Sequence, residues 1–154
     1  MVTTEQAAPG LDDQICLALY TASRALTARY RSLLAPLGLT YPQYLAMVAL
    51  WEDGPQSVAR LGERLYLDSG TLSPLLRRLE STGLVTRTRS TDDERSVIVS
   101  LTERGNHLRS DAAGVPEAIC LSTGLDVDTL VTLQKQIVAL ADSVRTTTQA
   151  LQPA

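Results

Sequence analysis

The residues of this 154-residue chain most able to do chemistry are two cysteines, Cys16 and Cys120, 104 positions apart. They form no CxxC pair, and the single histidine, His107, lies near neither of them in sequence. A zinc site needs three or four soft ligands brought together, so no metal centre is expected and no cofactor is implied. A permanent structural disulfide is not expected in a reducing cytosol. What remains is a pair of inert core thiols or a thiol with a task.

Five tyrosines accompany these cysteines, and there is no phenylalanine at all. A phenylalanine fills a core as well as a tyrosine, so the tyrosine hydroxyls are expected to be wanted for their own sake. Phenolic donors stabilise a thiolate, which is the reactive form of cysteine. Cys16 follows Asp12 by one helical turn, where a helix dipole still favours an anion modestly, although Asp12 and Asp13 oppose it. Tyr20 lies one turn beyond Cys16. Tyr30 projects from the same side but roughly 21 Å along the axis, out of reach within one helix. In an antiparallel pair of such helices it could meet the cysteine of the other copy. Tyr44 and Tyr66 read as core or capping residues, Trp51 as a core anchor and His107 as a surface residue.

These side chains must be held by elements whose traces are legible in the sequence. Hydrophobic residues make up 44% and charged residues 20%, an ordinary globular composition. No apolar run approaches the roughly eighteen residues of a membrane span, and Met1 to Gly10 has no basic, apolar leader. Residues 1–10 read as a flexible lead-in to a single domain over 11–154, with a cytoplasmic location. A first helix is expected from Asp12, as cap, to about Leu34, before Pro36 and Gly38. A second opens at Thr40 or Tyr41 with Pro42 in its first turn, and ends at Asp53-Gly54-Pro55. Ser57 caps a third.

The fourth helix carries Leu72, Leu75, Leu76 and Leu79 at i, i+3, i+4, i+7 and stops at Gly83. Two alternating segments, 84–89 and 96–101, then flank a charged tip and predict a β-hairpin. A fifth helix is expected from Thr102 to about Val115-Pro116, and a last amphipathic one over about 126–150. The first and last helices carry more apolar surface than one chain can cover, which suggests a subunit interface. The fold class is thus mainly α with a small β-hairpin.

Helix, turn, helix and two-stranded hairpin in that order make a winged helix-turn-helix. The net charge is −3, yet residues 60–109 hold nine Arg against seven Asp and Glu. A basic middle between acidic ends suits a protein that presents one face to a polyanion. Thirteen of the fourteen basic residues are Arg, which favours bidentate phosphate or guanine contacts, although an Arg-rich genome gives the same bias. The leucine stripe of the fourth helix leaves Ser69, Thr71, Ser73, Pro74, Arg77 and Arg78 for DNA. Arg87 and Arg89 lie on the first strand. Arg95 at the hairpin tip suits the minor groove, with Asp92 and Asp93 to orient it. Pro74 costs one helical hydrogen bond, less if the helix starts near Gly70.

Leu84-Val85-Thr86-Arg87, Asp92-Asp93-Glu94-Arg95-Ser96 and Leu101-Thr102-Glu103-Arg104-Gly105 resemble the wing signature of MarR-type regulators. That signature, DxRxxxxxLT with a following Gly, runs here from Asp93 to Gly105. The segments Leu11–Tyr20, Leu39–Leu45 and Tyr66–Leu72 resemble, more narrowly, the organic hydroperoxide resistance branch of that family. The resemblance implies a homodimer with interleaved first and last helices (about 11–35 and 103–150) around winged helices at about 40–102. It implies binding to pseudo-palindromic operator DNA, and an organic hydroperoxide as effector. It places the reactive cysteine at Cys16, with Tyr30 and Tyr41 of the other subunit as its phenolic partners. Cys120 then matches the second cysteine with which an intersubunit disulfide forms on oxidation.

The function expected from this is a repressor released from DNA by oxidation of Cys16. Two alternatives stand beside it. One is a repressor of the same fold switched by a phenolic or drug-like ligand. The other is a thiol peroxidase, but no activating arginine adjoins Cys16, since Arg24 is two turns away.

Overall fold

The computed structural model describes residues 10–93 and 95–151. The expected flexible lead-in, Gly10 excepted, and Glu94 of the hairpin tip lie outside the described residues. The chain divides into two compact units, one running to Val115 and the other from Pro116 onward.

Asp12 does not cap the first long helix. Leu11–Asp13 form a separate 3-10 turn, and α1 (Ile15–Leu34) begins after an extended Gln14 that makes no side-chain cap bond. Asp13 is used up locally, because its carboxylate turns back to accept the Gly10 N–H at 3.1 Å. Cys16 is consequently the second residue of α1, closer to the helix start than the sequence suggests. A 3-10 turn containing Pro36 and a left-handed Gly38 (φ +67°) close α1, as expected.

Thr40 caps α2 (Tyr41–Asp53) reciprocally: its hydroxyl accepts the Gln43 N–H, and its own N–H donates to Gln43 Oε1 at 2.9 Å. Ser57 caps α3 (Val58–Leu65) and Asp68 caps α4 (Ser69–Ser81). The predicted stripe is real. Leu72, Leu76 and Leu79 are fully buried against a core of Leu34, Met47, Leu50 and Leu61. α4 starts at Ser69, beside Gly70 as expected, and Pro74 falls in its second turn, so the Gly70 carbonyl lacks its helical donor.

A 6→1 bond from Leu84 N–H to Leu79 C=O and one from Gly83 N–H to Glu80 C=O end α4. Gly83 takes φ +73°, which only a residue without a β-carbon adopts freely. Strands β2 (Val85–Arg89) and β3 (Val97–Leu101) form the predicted hairpin, in register Arg87 opposite Val99. A third strand, β1 (Gln56–Ser57), pairs with the other edge of β3 and makes a three-stranded sheet of order β1-β3-β2, where the sequence suggested two strands.

The wing root is tied down by the Leu101–Gly105 segment. Thr102 caps α5 (Glu103–Asp111), and its hydroxyl donates to Gly83 C=O at 2.6 Å. Its N–H donates to Leu84 C=O at 3.1 Å. Trp51 Nε1–H donates to Gly105 C=O at 2.9 Å, joining α2 to α5.

The fifth helix is shorter than expected. After Asp111 the bonds turn to i→i+3 type, Ala113 to Ser110 and Val115 to Ala112, and a separate α6 (Val115–Thr123) follows. Pro116 does not end a helix but occupies the first turn of this new one, where its missing N–H costs nothing. In the second unit Asp126 accepts the Thr129 N–H and hydroxyl at 2.9 and 2.6 Å, at the start of α7 (Val127–Leu151). No residue of α7 is buried, and Leu133, Ile137, Leu140 and Val144 are all exposed. No single described helix is long and apolar enough to cross a membrane.

Candidate functional site

The exposed face of α4 is built from its cap outward. Asp68 accepts the Thr71 N–H at 2.8 Å and the Thr71 hydroxyl at 3.2 Å, which holds its carboxyl below the usual carboxylate range. Thr71 is thereby partly committed to the cap, while Ser69, Pro74, Arg77 and Arg78 stand exposed and Ser73 is half-buried. Arg77 and Arg78 make no ion pair among the described residues.

Arg87 and Arg89, expected to act alike, differ. Both share the face of β2 that begins with buried Val85. Arg87 reaches α4, where its Nε and NH2 donate to Glu80 Oε2 at 3.0 and 2.7 Å. Its main-chain N–H donates to Glu80 Oε1 at 3.2 Å. Arg89, two residues on, is exposed and makes no ion pair among the described residues.

At the tip, the Ser90 hydroxyl accepts the N–H groups of Asp92 and Asp93. Asp93, rather than Asp92, steadies Arg95, by accepting its N–H at 3.0 Å. The Asp92 carboxylate takes the Thr91 hydroxyl at 3.5 Å. Asp92 and Arg95 both stay exposed. Glu80 and Ser90 were not picked out by sequence reasoning. A carboxylate seven residues before an arginine across a helix-to-strand corner was the one available signal for Glu80.

The thiol side is assembled from α1 and α2. Cys16 is exposed in the first turn of α1, where backbone N–H groups lack helical acceptors and face anions. Tyr20 does not serve it here: its hydroxyl accepts Arg24 NH1 at 3.5 Å, and the guanidinium lies 5.5 Å from its ring centre. Tyr30 and Tyr41 come together with ring centroids 4.3 Å apart, and Tyr44 is 5.9 Å from Tyr30. Burial and the neighbouring phenols push Tyr30 up to about 12, and burial raises Tyr41 and Tyr44 as well. All three therefore remain protonated donors across the physiological range. Cys120 is half-buried in α6, in the second unit, and both thiols are free. No cluster of metal-binding side chains occurs among the described residues.

Residues 29–112 match the family described as transcriptional regulator SarA/Rot, from the second half of α1 past the end of α5. The organic hydroperoxide resistance transcriptional regulator of Bacillus subtilis (strain 168) is 52% identical over 109 residues, which are 71% of this chain and 74% of that one. This chain belongs to the MarR-type SarA/Rot transcriptional regulators.

Among members of this family, HTH-type transcriptional regulator TtmR of Methylorubrum extorquens (strain PA1) is 44% identical over 134 residues, 87% of this chain and 69% of that one. AbfR of Staphylococcus epidermidis has been solved reduced and bound to DNA. That structure is 36% identical, covers 87% of this chain and 94% of AbfR, and gives a TM-score of 0.72. An overoxidised AbfR bound to DNA (37%, 86% and 93%, TM-score 0.69) and a disulfide-formed AbfR (35%, 85% and 92%, TM-score 0.62) are also similar. All these relatives are regulators, and so is this chain; it is not an enzyme.

Proposed function

We propose that this regulator is a dimeric repressor that binds pseudo-palindromic DNA and is released when an organic hydroperoxide oxidises Cys16. The observation that carries the reading is an exposed thiol at the start of α1 in a chain whose half-buried phenols, Tyr30 and Tyr41, cluster near the far end of the same helix. Cys16 and Tyr30 are roughly 21 Å apart along α1, so the Tyr30 phenol can support the Cys16 thiolate only across two antiparallel copies. The open apolar face of α7 supplies surface for such a dimer.

The DNA face is Ser69, Thr71, Ser73, Pro74, Arg77 and Arg78 on α4, with Arg89, Asp92 and Arg95 on the wing. The basic side chains supply phosphate contacts, and α4 enters the major groove. In the switch, the Cys16 thiolate attacks one peroxide oxygen, the O–O bond breaks, and the alkoxide takes a proton and leaves as an alcohol. The sulfenic acid then condenses with the thiol of Cys120 of the partner subunit, forming a disulfide and releasing water. Strain across the dimer changes the spacing of the two α4 helices, and both half-site contacts weaken together. The disulfide-formed relative AbfR supports the disulfide step by analogy.

Operator binding by wild type, Cys16→Ser and Cys120→Ser, with and without cumene hydroperoxide, tests this. Wild type should lose DNA on oxidation and Cys16→Ser should not respond. Binding that survives in wild type with sulfenic acid formed rejects it.

A second reading has its own observation. A cavity of about 260 Å³ lies between the end of α1 and the start of α2, lined by Thr27, Arg31, Leu39, Tyr41 and Pro42 among others. Arg31 and the Tyr41 hydroxyl suit a small aromatic acid, which would make the protein ligand-switched. A response that persists in Cys16→Ser favours it.

A further inference from the structure

We infer that Glu80 and Arg87 are positioning residues that set the angle between the wing and α4, and that Arg87 does not itself contact DNA. This rests on the DNA-binding reading above. The whole Glu80 carboxylate is occupied by one residue: Oε2 takes both Nε–H and NH2 of Arg87, and Oε1 takes its main-chain N–H. Such a forked, charge-assisted pair fixes orientation as well as distance. Glu80 also holds the corner with its backbone, since its carbonyl accepts the Gly83 N–H at 2.9 Å. The helix-to-strand joint is thus closed twice by a single residue, once through the main chain and once through the side chain.

The surroundings show that the pair is built into the fold. Arg87 lies on the strand face that begins with buried Val85, and it stands in register with Val99, which is fully buried. Its side chain is 28% exposed and that of Glu80 38%. Arg89, on the same face but past the reach of α4, is exposed and suited to phosphate. To turn its guanidinium to a phosphate, Arg87 would have to leave both of its side-chain hydrogen bonds and abandon Glu80 beside a polyanion. A wing held by this pair keeps Arg89 and Arg95 at a fixed height over the duplex while α4 lies in its groove.

The two roles for Arg87 predict opposite signs for one substitution. If Arg87 were a phosphate contact restrained by Glu80, Glu80→Gln would free the arginine, remove a repulsive charge and tighten binding. If the pair positions the wing, Glu80→Gln weakens binding although it makes the protein less acidic.

The test is salt-titrated binding of the full chain to a fluorescein-labelled duplex that the protein itself selects from a randomised pool. Glu80→Gln, Arg87→Gln and the double variant should each weaken binding by a similar factor, roughly tenfold, with the salt slope close to wild type. Arg87→Lys, which keeps the charge but loses the fork, should fall with them. Thermal unfolding checks that all four variants are folded. Unchanged or tighter binding by Glu80→Gln, or a slope lowered by about 0.9 in Arg87→Gln, overturns the inference. Arg89→Gln and Arg95→Gln serve as controls and must lower the slope. If neither does, the DNA-binding reading itself has failed, and this inference falls with it for a reason the controls identify.

Discussion

The α-carbon of Gly105 rests against the carbonyl of Leu84, so that a β-carbon at 105 would collide with that carbonyl oxygen. The same carbonyl accepts the Thr102 N–H, and the carbonyl of Gly105 accepts Trp51 Nε1–H. The wing root therefore depends on a missing side chain. Gly105→Ala should destabilise the protein by about 1–3 kcal/mol through forced backbone displacement. Denaturant unfolding followed by circular dichroism measures it, and an unchanged midpoint would mean the contact is not tight.

Arg77 on α4 and Arg95 at the wing tip should each act as an independent phosphate or groove contact. Replacing either by Gln should lower the slope of log K against log salt by about 0.9, and replacing both by about twice that. Fluorescence anisotropy over a salt series reads this directly.

The clustered phenols give the protein an alkaline limit. Folding raises Tyr30 to about 12 and raises Tyr41 and Tyr44 above their ordinary value near 10. Between the unfolded and folded values the native state holds more protons than the unfolded one, so stability falls as pH rises. It is fully present below about pH 10 and declines from there towards 12. Absorbance at the phenolate band during an alkaline titration should show Tyr30→Phe losing one of the late-titrating groups.

At the acid end the helix caps respond. Hydrogen bonds from Thr71 lower Asp68, and those from Thr129 lower Asp126. A carboxylate lowered in the fold stabilises above its unfolded value and loses that contribution as pH falls through the folded one. The Thr71 and Thr129 amides should therefore lose exchange protection only at pH below the ordinary aspartate range. Asp68→Ala should show the same loss at Thr71 already at neutral pH.

The apolar face of α7 should carry the dimer. Ile137→Asp would place a charge in its centre, and should weaken self-association by roughly 2 kcal/mol or more. Sedimentation velocity over a concentration series decides this, and an unshifted dimer would place the interface elsewhere.

What could be read from residues alone follows how local the cause was. The Leu72–Leu79 stripe, the Thr40 capping box and the Gly83 stop act within one or two turns, so spacing sufficed. The Leu101–Gly105 motif was legible as a pattern, but not as a clamp on Gly83 and Leu84, because its partners lie some twenty residues back. Gln56 and Ser57 are too short to show alternation and become a strand only by pairing with Val99 and Ile98. The break at 112–114 was read through because neither flank changes period there. Asp12 looked like the cap because spacing does not reveal the separate 3-10 turn at Leu11–Asp13, in which Asp13 spends itself on Gly10. Arg87 was grouped with Arg89 by composition, and Glu80 separates them.

Trp51 is the sole indole of the chain, and it stands where α2 meets the root of the wing. Its ring lies 6.3 Å from Tyr44, which adjoins Tyr30, which adjoins Tyr41. Light absorbed by that tyrosine group passes readily to so close an indole. The protein thus carries its own fluorophore, sensitised from the thiol-side phenols and hydrogen-bonded to the wing-side backbone. Any rearrangement that parts α2 from α5 will change its colour and its sensitised brightness together, with no dye attached.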